Sequence, residues 1–269
     1  MMVILFLLLI LSVFHVTMID YLYNNPTFYQ LNAYTWESED FRSLKLGNMV
    51  ADWDTIDYDV LTSLMVEHQY DLTKVKDKDN HGNQLRKIKP QEYRKLKNAY
   101  VTLLGDLKFF PVPLNTKGDA PEITFENGWM QPRTYGGDRG HEGCDIMGNK
   151  KPRGYYPVVS MSDGVVEKVG WLNKGGWRIG IRAPGGAYIY YAHLYGYSKE
   201  WKAGDPVKAG ELLGFMGDTG YSEIEGTTGN FDVHLHVGIY LKTDHNEEMS
   251  VNPYWALKYL EKYRLKYSY

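Results

Sequence analysis

Two histidines stand one residue apart in the segment FDVHLHVGIY, residues 231–240. The β-branched and aromatic residues around them favour a strand, and side chains alternate between the two faces of a strand. His234 and His236 are therefore predicted to share one face, while Leu235 and Val237 take the other and pack into a core. Two neighbouring imidazoles on one face suit a metal ion or a proton-transfer site. The alternative is a pair of surface histidines on a half-exposed strand.

Further residues of metal-ligand and acid–base type lie in two other segments. GHEGCDIM places His141 and Asp145 in H-x-x-x-D spacing, and YYAHL contains His193. Catalytic zinc commonly takes three protein ligands and keeps a fourth position for water. Four histidines and one aspartate can supply three ligands and two groups that handle protons. This set of residues fits a hydrolase.

The order of these motifs, from about residue 128 to 253, resembles the lysostaphin/LytM-type zinc metalloendopeptidases, a family of peptidoglycan hydrolases. That family pairs an H-x-x-x-D motif with a later H-x-H and has a separate histidine on a strand between them. The resemblance implies three zinc ligands, namely His141, Asp145 and His236. It also implies that His193 and His234 handle protons and steady the transition state, with a division of labour that spacing does not fix.

The activity implied by the resemblance is zinc-dependent hydrolysis of peptide bonds in peptidoglycan, in stem cross-links or interpeptide bridges. Zinc lowers the pKa of a bound water from about 15.7 towards roughly 7, and histidine titrates in the same range. Glycines and tyrosines in GGDRGHEG, KGGW and DTGYSEIEGTTGN are predicted to line an extended groove. The alternative function is a catalytically silent wall-binding or scaffolding module on the same fold, although every motif position is filled.

Two further residues near the motifs have competing interpretations. Tyr135, six residues before His141, resembles a tyrosine that family members can place near the developing oxyanion, but a packing or groove role is favoured. Cys144 is a potential thiolate ligand, yet it adjoins Asp145 and would point the other way in an extended segment. A small buried side chain is the favoured interpretation of this cysteine.

The elements that must position these residues are short strands separated by glycine turns. Five segments have this texture: GVVEKV, WRIGIRA, GAYIYYAHL, ELLGFMG and FDVHLHVGIYL. The predicted fold class is α+β, with a mainly antiparallel sheet or sandwich of lysostaphin-like type and a lipoyl-like hairpin core. A lipoyl or biotinyl carrier shares such hairpins, but no modified-lysine motif is found and the histidines would go unexplained.

The chain before this sheet is predicted to be helical. Asp57 is a possible cap for DYDVLTSLMVEH, and Pro90 lies near the start of a second helix with an apolar stripe. Residues 20–110 form a helical region of unknown role, 111–127 a linker, and 128–269 the peptidase domain. The domain is predicted to close with a helix that Asn252 caps and Pro253 begins.

The N-terminus and the composition bear on where in the cell the protein works. Residues 1–19 carry no acidic or basic side chain and could just cross a bilayer. An uncleaved single-pass anchor with an extracellular catalytic domain is favoured, with a signal segment and a secreted protein as the alternative. One cysteine in 269 residues excludes an intramolecular disulfide, and a net charge of -3 gives no argument for nucleic acid. Protein partners and oligomeric state stay open.

Overall fold

The chain begins with a long apolar helix that stands apart from the rest of the molecule. The computed structural model describes residues 2–25, 27–76, 85–117, 123–149 and 151–269. Helix α1, Met2–Asn24, buries none of its residues. Within the described part of the chain, it is the one helix long and apolar enough to cross a membrane. A signal sequence would meet the same criterion.

Six short or medium helices follow α1 and form the predicted helical region. They are α2 Thr27–Gln30, α3 Glu39–Arg42, α4 Gly47–Ala51, α5 Tyr58–Glu67, α6 Leu85–Ile88 and α7 Pro90–Leu104. Both capping predictions are confirmed. The Asp57 carboxylate accepts hydrogen bonds from the backbone N–H groups of Asp59 and Val60, and Pro90 is the first residue of α7. The predicted apolar stripe of α7, from Tyr93 to Leu104, is buried.

Fourteen strands lie in the described residues after α7. They are β1 Leu114–Asn115, β2 Thr124–Phe125, β3 Pro132–Arg133, β4 Arg139–Gly140, β5 Cys144–Met147, β6 Pro157–Val159, β7 Gly164–Leu172, β8 Gly176–Arg182, β9 Tyr188–Tyr197, β10 Pro206–Val207, β11 Leu212–Met216, β12 His234–Leu241, β13 Met249–Val251 and β14 Lys266–Tyr267. The five strands predicted from glycine-punctuated segments are all present. The predicted α+β class with a mainly antiparallel sheet is confirmed.

The main sheet has the order β10-β7-β8-β9-β12-β5-β2, and every neighbouring pair in it is antiparallel. Strand β11 pairs with both β9 and β6, and β13 pairs antiparallel with the last residues of β12. In β12, Leu235, Val237 and Ile239 are buried, as the alternation predicted. The histidines of β12 therefore lie on the opposite face, next to β5 and β9.

The helical region and the sheet share one hydrophobic core. Buried residues of both parts, including Phe41, Tyr100, Val112 and Val237, belong to a single cluster. Asp106, just after α7, accepts a hydrogen bond from Gly185 N at 2.6 Å, in the turn between β8 and β9. The division into domains at 110 and 128 stays a prediction. Residues 118–122, inside the predicted linker, lie outside the described residues.

The C-terminal end departs from the predicted closing helix. Helix α8 spans Tyr254–Leu260 and its N-cap is Pro253, so the prediction that Asn252 caps this helix and Pro253 begins it was wrong by one residue. The Asn252 side chain instead accepts from Tyr254 N at 3.0 Å, in the turn that leads into the helix. The chain then leaves the helix, and β14 pairs in parallel with β1. The Arg264 guanidinium donates to the backbone carbonyls of Val112 and Pro113. These long-range hydrogen bonds decide the local conformation of a tail whose sequence alone suggested more helix.

Candidate active site and metal centre

Three distant side chains converge between β5 and β12. His236 faces Asp145 in the register of the two strands, and His141 lies just before β5. The His141 Nε2 atom is 3.0 Å from Asp145 Oδ1 and 3.0 Å from His236 Nδ1, and His236 Nδ1 is 2.9 Å from the same carboxylate oxygen. The sequence placed these three residues in one site, and the structure brings them together. Their role as metal ligands stays a prediction.

The chemistry of the donor atoms fits a cation at their centre. The His141 Nδ1 atom lies 3.1 Å from the backbone carbonyl of Gly128 and must donate its proton there. This fixes the tautomer, so His141 Nε2 carries a lone pair that points at Asp145 Oδ1. Two lone pairs about 3 Å apart repel unless a positive species lies between them. Two nitrogens and one oxygen are a set that zinc accepts, and His141, Asp145 and His236 would hold it.

The second oxygen of Asp145 has its own cationic partner. The Arg133 guanidinium donates to Asp145 Oδ2 at 2.9 Å, which holds the carboxylate plane and aims Oδ1 at the two imidazoles. A guanidinium in hydrogen-bond contact favours the ionised form of a carboxyl group, even where that group is partly buried. The carboxylate is therefore charged at neutral pH. Arg133 was not recognised in the sequence.

Close packing of the backbone leaves no room for a larger residue beside these groups. A Cβ atom added to Gly143 would lie 2.3 Å from His236 Cε1 and 2.7 Å from the carbonyl oxygen of Val237. Both distances are shorter than any real van der Waals contact. Because the Val237 carbonyl belongs to the sheet backbone, it cannot move aside at low cost. Gly143 therefore allows β12 to approach the segment that carries His141 and Asp145.

His193 reaches the same cavity by breaking the alternation of its strand. Ala192 pairs with His236, so regular alternation would put the next residue, His193, on the opposite face. The register of β8 and β9 shifts near this point, and His193 has a left-handed backbone with φ of 62°. This conformation costs a non-glycine residue about 1–3 kcal/mol. The bulge turns the imidazole towards His234 instead of leaving it behind the sheet.

The two histidines predicted to handle protons lie side by side. The ring centroids of His193 and His234 are 4.7 Å apart. His193 Nδ1 lies 2.7 Å from the carbonyl of Thr219, and His234 Nδ1 lies 2.7 Å from the carbonyl of Asp232. Each Nδ1 donates a hydrogen bond to a carbonyl, so each neutral ring keeps a lone pair on Nε2 that can accept a proton. His234 Nε2 lies 3.8 Å from Asp145 Oδ1. Burial, reinforced by the neighbouring imidazoles, lowers the pKa of His193 well below its ordinary value.

These side chains line one cavity of about 400 Å³ on the open face of the sheet. Gly175 and Tyr221, from two of the predicted groove segments, contribute to its wall. Three further tyrosines were missed by the sequence analysis, namely Tyr188, Tyr190 and Tyr240. Alternation could have found Tyr240, because it stands four residues after His236 on the same strand face. The Tyr188 side chain can lie across β8 only because residue 180 is a glycine. A Cβ atom added to Gly180 would lie 1.9 Å from the Tyr188 hydroxyl.

The two residues with competing interpretations differ in their surroundings. The Tyr135 ring stacks on Tyr221, with centroids 4.5 Å apart and an interplanar angle of 9°. This position is consistent with a groove residue, and an oxyanion role stays a prediction. Cys144 is 1% exposed, and its Sγ lies 3.4 Å from the carbonyl oxygen of Glu126. Burial raises the pKa of this thiol well above its usual value. It stands apart from the cluster that could hold a metal ion.

Comparison with known proteins supports this geometry. The sequence profile of Peptidase family M23 matches residues 139–253, which include all five of the converging residues. A crystal structure from Ruminococcus gnavus, assigned as a glycyl-glycine endopeptidase LytM, is 43% identical, with a TM-score of 0.79. The alignment covers 90% of this chain and 98% of that one. The chain belongs to peptidase family M23. The predicted resemblance to LytM and lysostaphin is thereby confirmed.

Two other M23 relatives differ in the bond that their names describe. The L-Ala–D-Glu endopeptidase of Bacillus subtilis is 40% identical over 173 residues, 64% of this chain and 49% of that protein. The glycyl-glycine endopeptidase ALE-1 of Staphylococcus capitis is 43% identical over 84 residues, 30% of this chain and 22% of that protein. The M23 chain described here thus matches about half the length, or less, of these curated relatives.

Proposed function

We propose that this M23 protein is a zinc endopeptidase that hydrolyses peptide bonds in peptidoglycan. The observation that carries the proposal is the meeting of His141 Nε2, Asp145 Oδ1 and His236 Nδ1 within 3.0 Å, beside the paired rings of His193 and His234. The relatives named above support a peptide of the cell wall as substrate. Their names give two candidate bonds, L-Ala–D-Glu and Gly–Gly.

Bound zinc would supply a Lewis acid for the scissile carbonyl and lower the pKa of water to about 7. The protein's own residues transfer the protons and hold the reacting groups in place. The imidazoles of His193 and His234 accept a proton from the attacking water and deliver one to the leaving amine. Their Nδ1–H groups stay hydrogen-bonded to the carbonyls of Thr219 and Asp232, so the rings keep one orientation throughout. Arg133 keeps Asp145 charged and oriented.

Peptidoglycan lies outside the cytoplasm. We further propose that helix α1 directs the protein out of the cytoplasm to that side of the membrane. Its length of 23 residues and the absence of any buried residue in it support either a single-pass anchor or a signal segment. Fractionation of cells that produce the tagged full chain would separate the two. An anchored protein stays with the membrane after a high-salt wash. A processed protein appears in the medium, and its mass is lower by the mass of the removed segment.

The test of the activity has two independent readouts on the full chain. The first is zinc content, and the second is release of free amines from purified peptidoglycan with and without a chelator. The unmodified protein is expected to hold one zinc ion and to lose activity reversibly on chelation. His141→Ala, Asp145→Ala and His236→Ala should lose both zinc and activity. His193→Ala and His234→Ala should keep zinc while activity falls by about 10²- to 10⁴-fold.

A matched pair of glycine substitutions tests whether zinc lies where the three donors meet. Gly143→Ala would push His236 and is expected to weaken zinc binding by about 10- to 100-fold, as for other disturbed ligand supports. Gly196→Ala, where the added methyl has no atom within 4 Å, should bind zinc normally. Zinc binding without any released amine would instead identify a silent scaffold. Zinc loss from His193→Ala would contradict the division of roles.

A further inference from the structure

The cavity around the candidate site carries an excess of unpaired positive charge. Three acidic residues line it, and each has a cationic partner: Arg42 lies 3.1 Å from Glu142, Arg133 lies 2.9 Å from Asp145, and Lys168 pairs with Glu248. Three further cations line the same cavity, namely Arg139, Lys174 and Arg178. Among the residues that the structure describes, none of these three has a carboxylate within 4.0 Å. The cavity is therefore attractive to an anion before any metal ion is counted.

Arg178 is the cation least explained by the fold. It lies on β8, facing the tyrosine-lined cavity, and its Nη1 atom is buried without a hydrogen-bond partner in the described part of the chain. A buried donor that makes no hydrogen bond costs about 1–3 kcal/mol. A guanidinium presents two parallel N–H groups that match the two oxygens of a carboxylate. Nη1 itself is covered, so a substrate carboxylate would pair with the part of the Arg178 guanidinium that lines the cavity.

Arg139 and Lys174 surround the same space from other elements. Arg139 lies on β4 just before His141, and its Nε atom is also buried without a partner among the described residues. Lys174 lies in the turn between β7 and β8, is exposed, and packs its side chain beside Gly136. Two guanidinium groups, each with one buried donor that has no partner among the described residues, and one exposed amine thus line a single cavity. Their convergence from three elements indicates a built site for negative charge.

We propose that Arg178, assisted by Arg139 and Lys174, binds a free carboxylate of the substrate close to the scissile bond. This inference rests on the proposed function and narrows its substrate class. Glutamate has two carboxyl groups, and only one can continue the peptide chain, so a stem peptide with an L-Ala–D-Glu bond keeps one free carboxylate there. A Gly–Gly bridge has no side-chain carboxylate at any position. The charges of the cavity therefore favour a glutamate-containing stem peptide over a glycine bridge.

The experiment compares peptides that differ only in that carboxylate. The zinc-loaded full chain is titrated by calorimetry with an uncleavable ketomethylene analogue of the L-Ala–D-Glu stem peptide. A second analogue has its free carboxylate converted to the carboxamide. The unmodified protein is expected to bind the carboxylate analogue at least 10-fold more tightly. Arg178→Gln should bring the two affinities within 2-fold, and Lys174→Gln should reduce the difference by a smaller factor. Arg94→Gln, an exposed arginine of α7 outside the cavity, should keep the full difference.

Cleavage assays on the corresponding hydrolysable peptides and on a pentaglycine peptide give the second readout. Preference for the carboxylate peptide that disappears in Arg178→Gln supports the inference. Equal binding of both analogues by the unmodified protein overturns it, and so does a preference that survives in Arg178→Gln, because zinc itself would then hold the carboxylate. If Arg178→Gln does not fold, Lys174→Gln and Arg139→Gln test the inference instead. Each should reduce the preference for the carboxylate analogue, and an unchanged preference in both would overturn the inference. Failure to cleave any peptide or peptidoglycan removes the proposed function, while the calorimetric comparison still decides this inference.

Discussion

The helical region and the sheet use their polar side chains in opposite ways. In residues 27–76 and 85–110, several polar side chains serve the fold itself, as in the hydrogen bond between Ser63 and Tyr93 or the donation of Lys89 to the carbonyls of Phe28 and Leu31. On the open face of the sheet, imidazoles and guanidinium groups point into a cavity. The one described cluster that could hold a metal ion lies there.

This difference does not make the helical region a detached spacer. Arg42 of α3 donates to the backbone carbonyl and the hydroxyl of Ser250 and pairs with Glu142, the residue after His141. Trp129, next to the carbonyl that anchors His141, lies near Glu39. Helices that bear no catalytic group therefore contact the segment that holds the site. The comparison predicts that the helical region holds the segment around His141 in place. Three substitutions test this prediction, ordered from the largest expected effect to the smallest.

The largest effect is expected from Phe41→Ala. Phe41 is fully buried and packs on Tyr100, with ring centroids 5.2 Å apart, inside the core that both regions share. Removing such a ring costs about 3–5 kcal/mol of unfolding free energy. If the core is one unit, denaturant unfolding in detergent solution should stay a single transition at a lower midpoint, with circular dichroism and tryptophan fluorescence in agreement. Two separate transitions would show that the regions are energetically independent.

Tyr100→Phe is the matched control for this position. The Tyr100 hydroxyl is buried and has no hydrogen-bond partner among the described residues. Replacing it removes an unsatisfied polar group without opening a cavity, so stability should stay level or rise by about 1 kcal/mol. A large loss of stability would mean that the hydroxyl makes an essential hydrogen bond through water.

An intermediate effect is expected from Arg42→Ala. The substitution removes hydrogen bonds of 2.8 and 3.0 Å to Ser250 and the ion pair with Glu142. Charged hydrogen bonds contribute about 1.5–3 kcal/mol each when intact, and partial exposure reduces this, so a total loss of about 2 kcal/mol is expected. Zinc affinity, measured by competition with a chromogenic chelator, should fall by about 10-fold. Arg94→Ala should change neither quantity. Normal zinc affinity in Arg42→Ala would show that Arg42 contributes to the stability of the fold but not to the geometry of the metal site.

The smallest effect concerns the pH dependence of stability. Glu37 lies 2.9 Å from His245 Nδ1, across the boundary between the helical region and the sheet. Burial alone would raise the pKa of Glu37, but hydrogen bonds with Thr243 and His245 outweigh it and lower the pKa. A carboxylate with a lowered folded-state pKa stabilises the fold above its unfolded value, about 4.3. That stabilisation is lost as pH falls through the folded-state pKa.

Glu37→Gln should therefore flatten the dependence of unfolding free energy on pH between about 5 and 3. The measurement is a series of denaturant titrations across that interval, in the same detergent. His245→Asn removes the partner instead and should flatten the same interval. An unchanged slope in both variants would show that this contact between the regions contributes nothing to acid stability.

Local sequence patterns were enough to predict much of this architecture. Alternation predicted the two faces of β12, and the cap at Asp57 and the proline at the start of α7 predicted two helices. These features depend on neighbours within a few residues, which the chain itself supplies. The strand at Lys266–Tyr267 could not be predicted in this way. It forms because hydrogen bonds to residues 112–115 replace those of a continuing helix.

By itself, the sequence determined which residues of the site can do chemistry and which face of β12 bears His234 and His236. The family resemblance put His193 in the same site, and only the tertiary structure decided how its side chain reaches that site, because a left-handed residue in a bulge reverses the face that alternation assigns. Only the tertiary structure brought in Arg133, Arg178 and Gly143, whose types are common and whose spacing carries no signal. Side-chain periodicity is a property of one strand, whereas a cavity is formed by the register between strands.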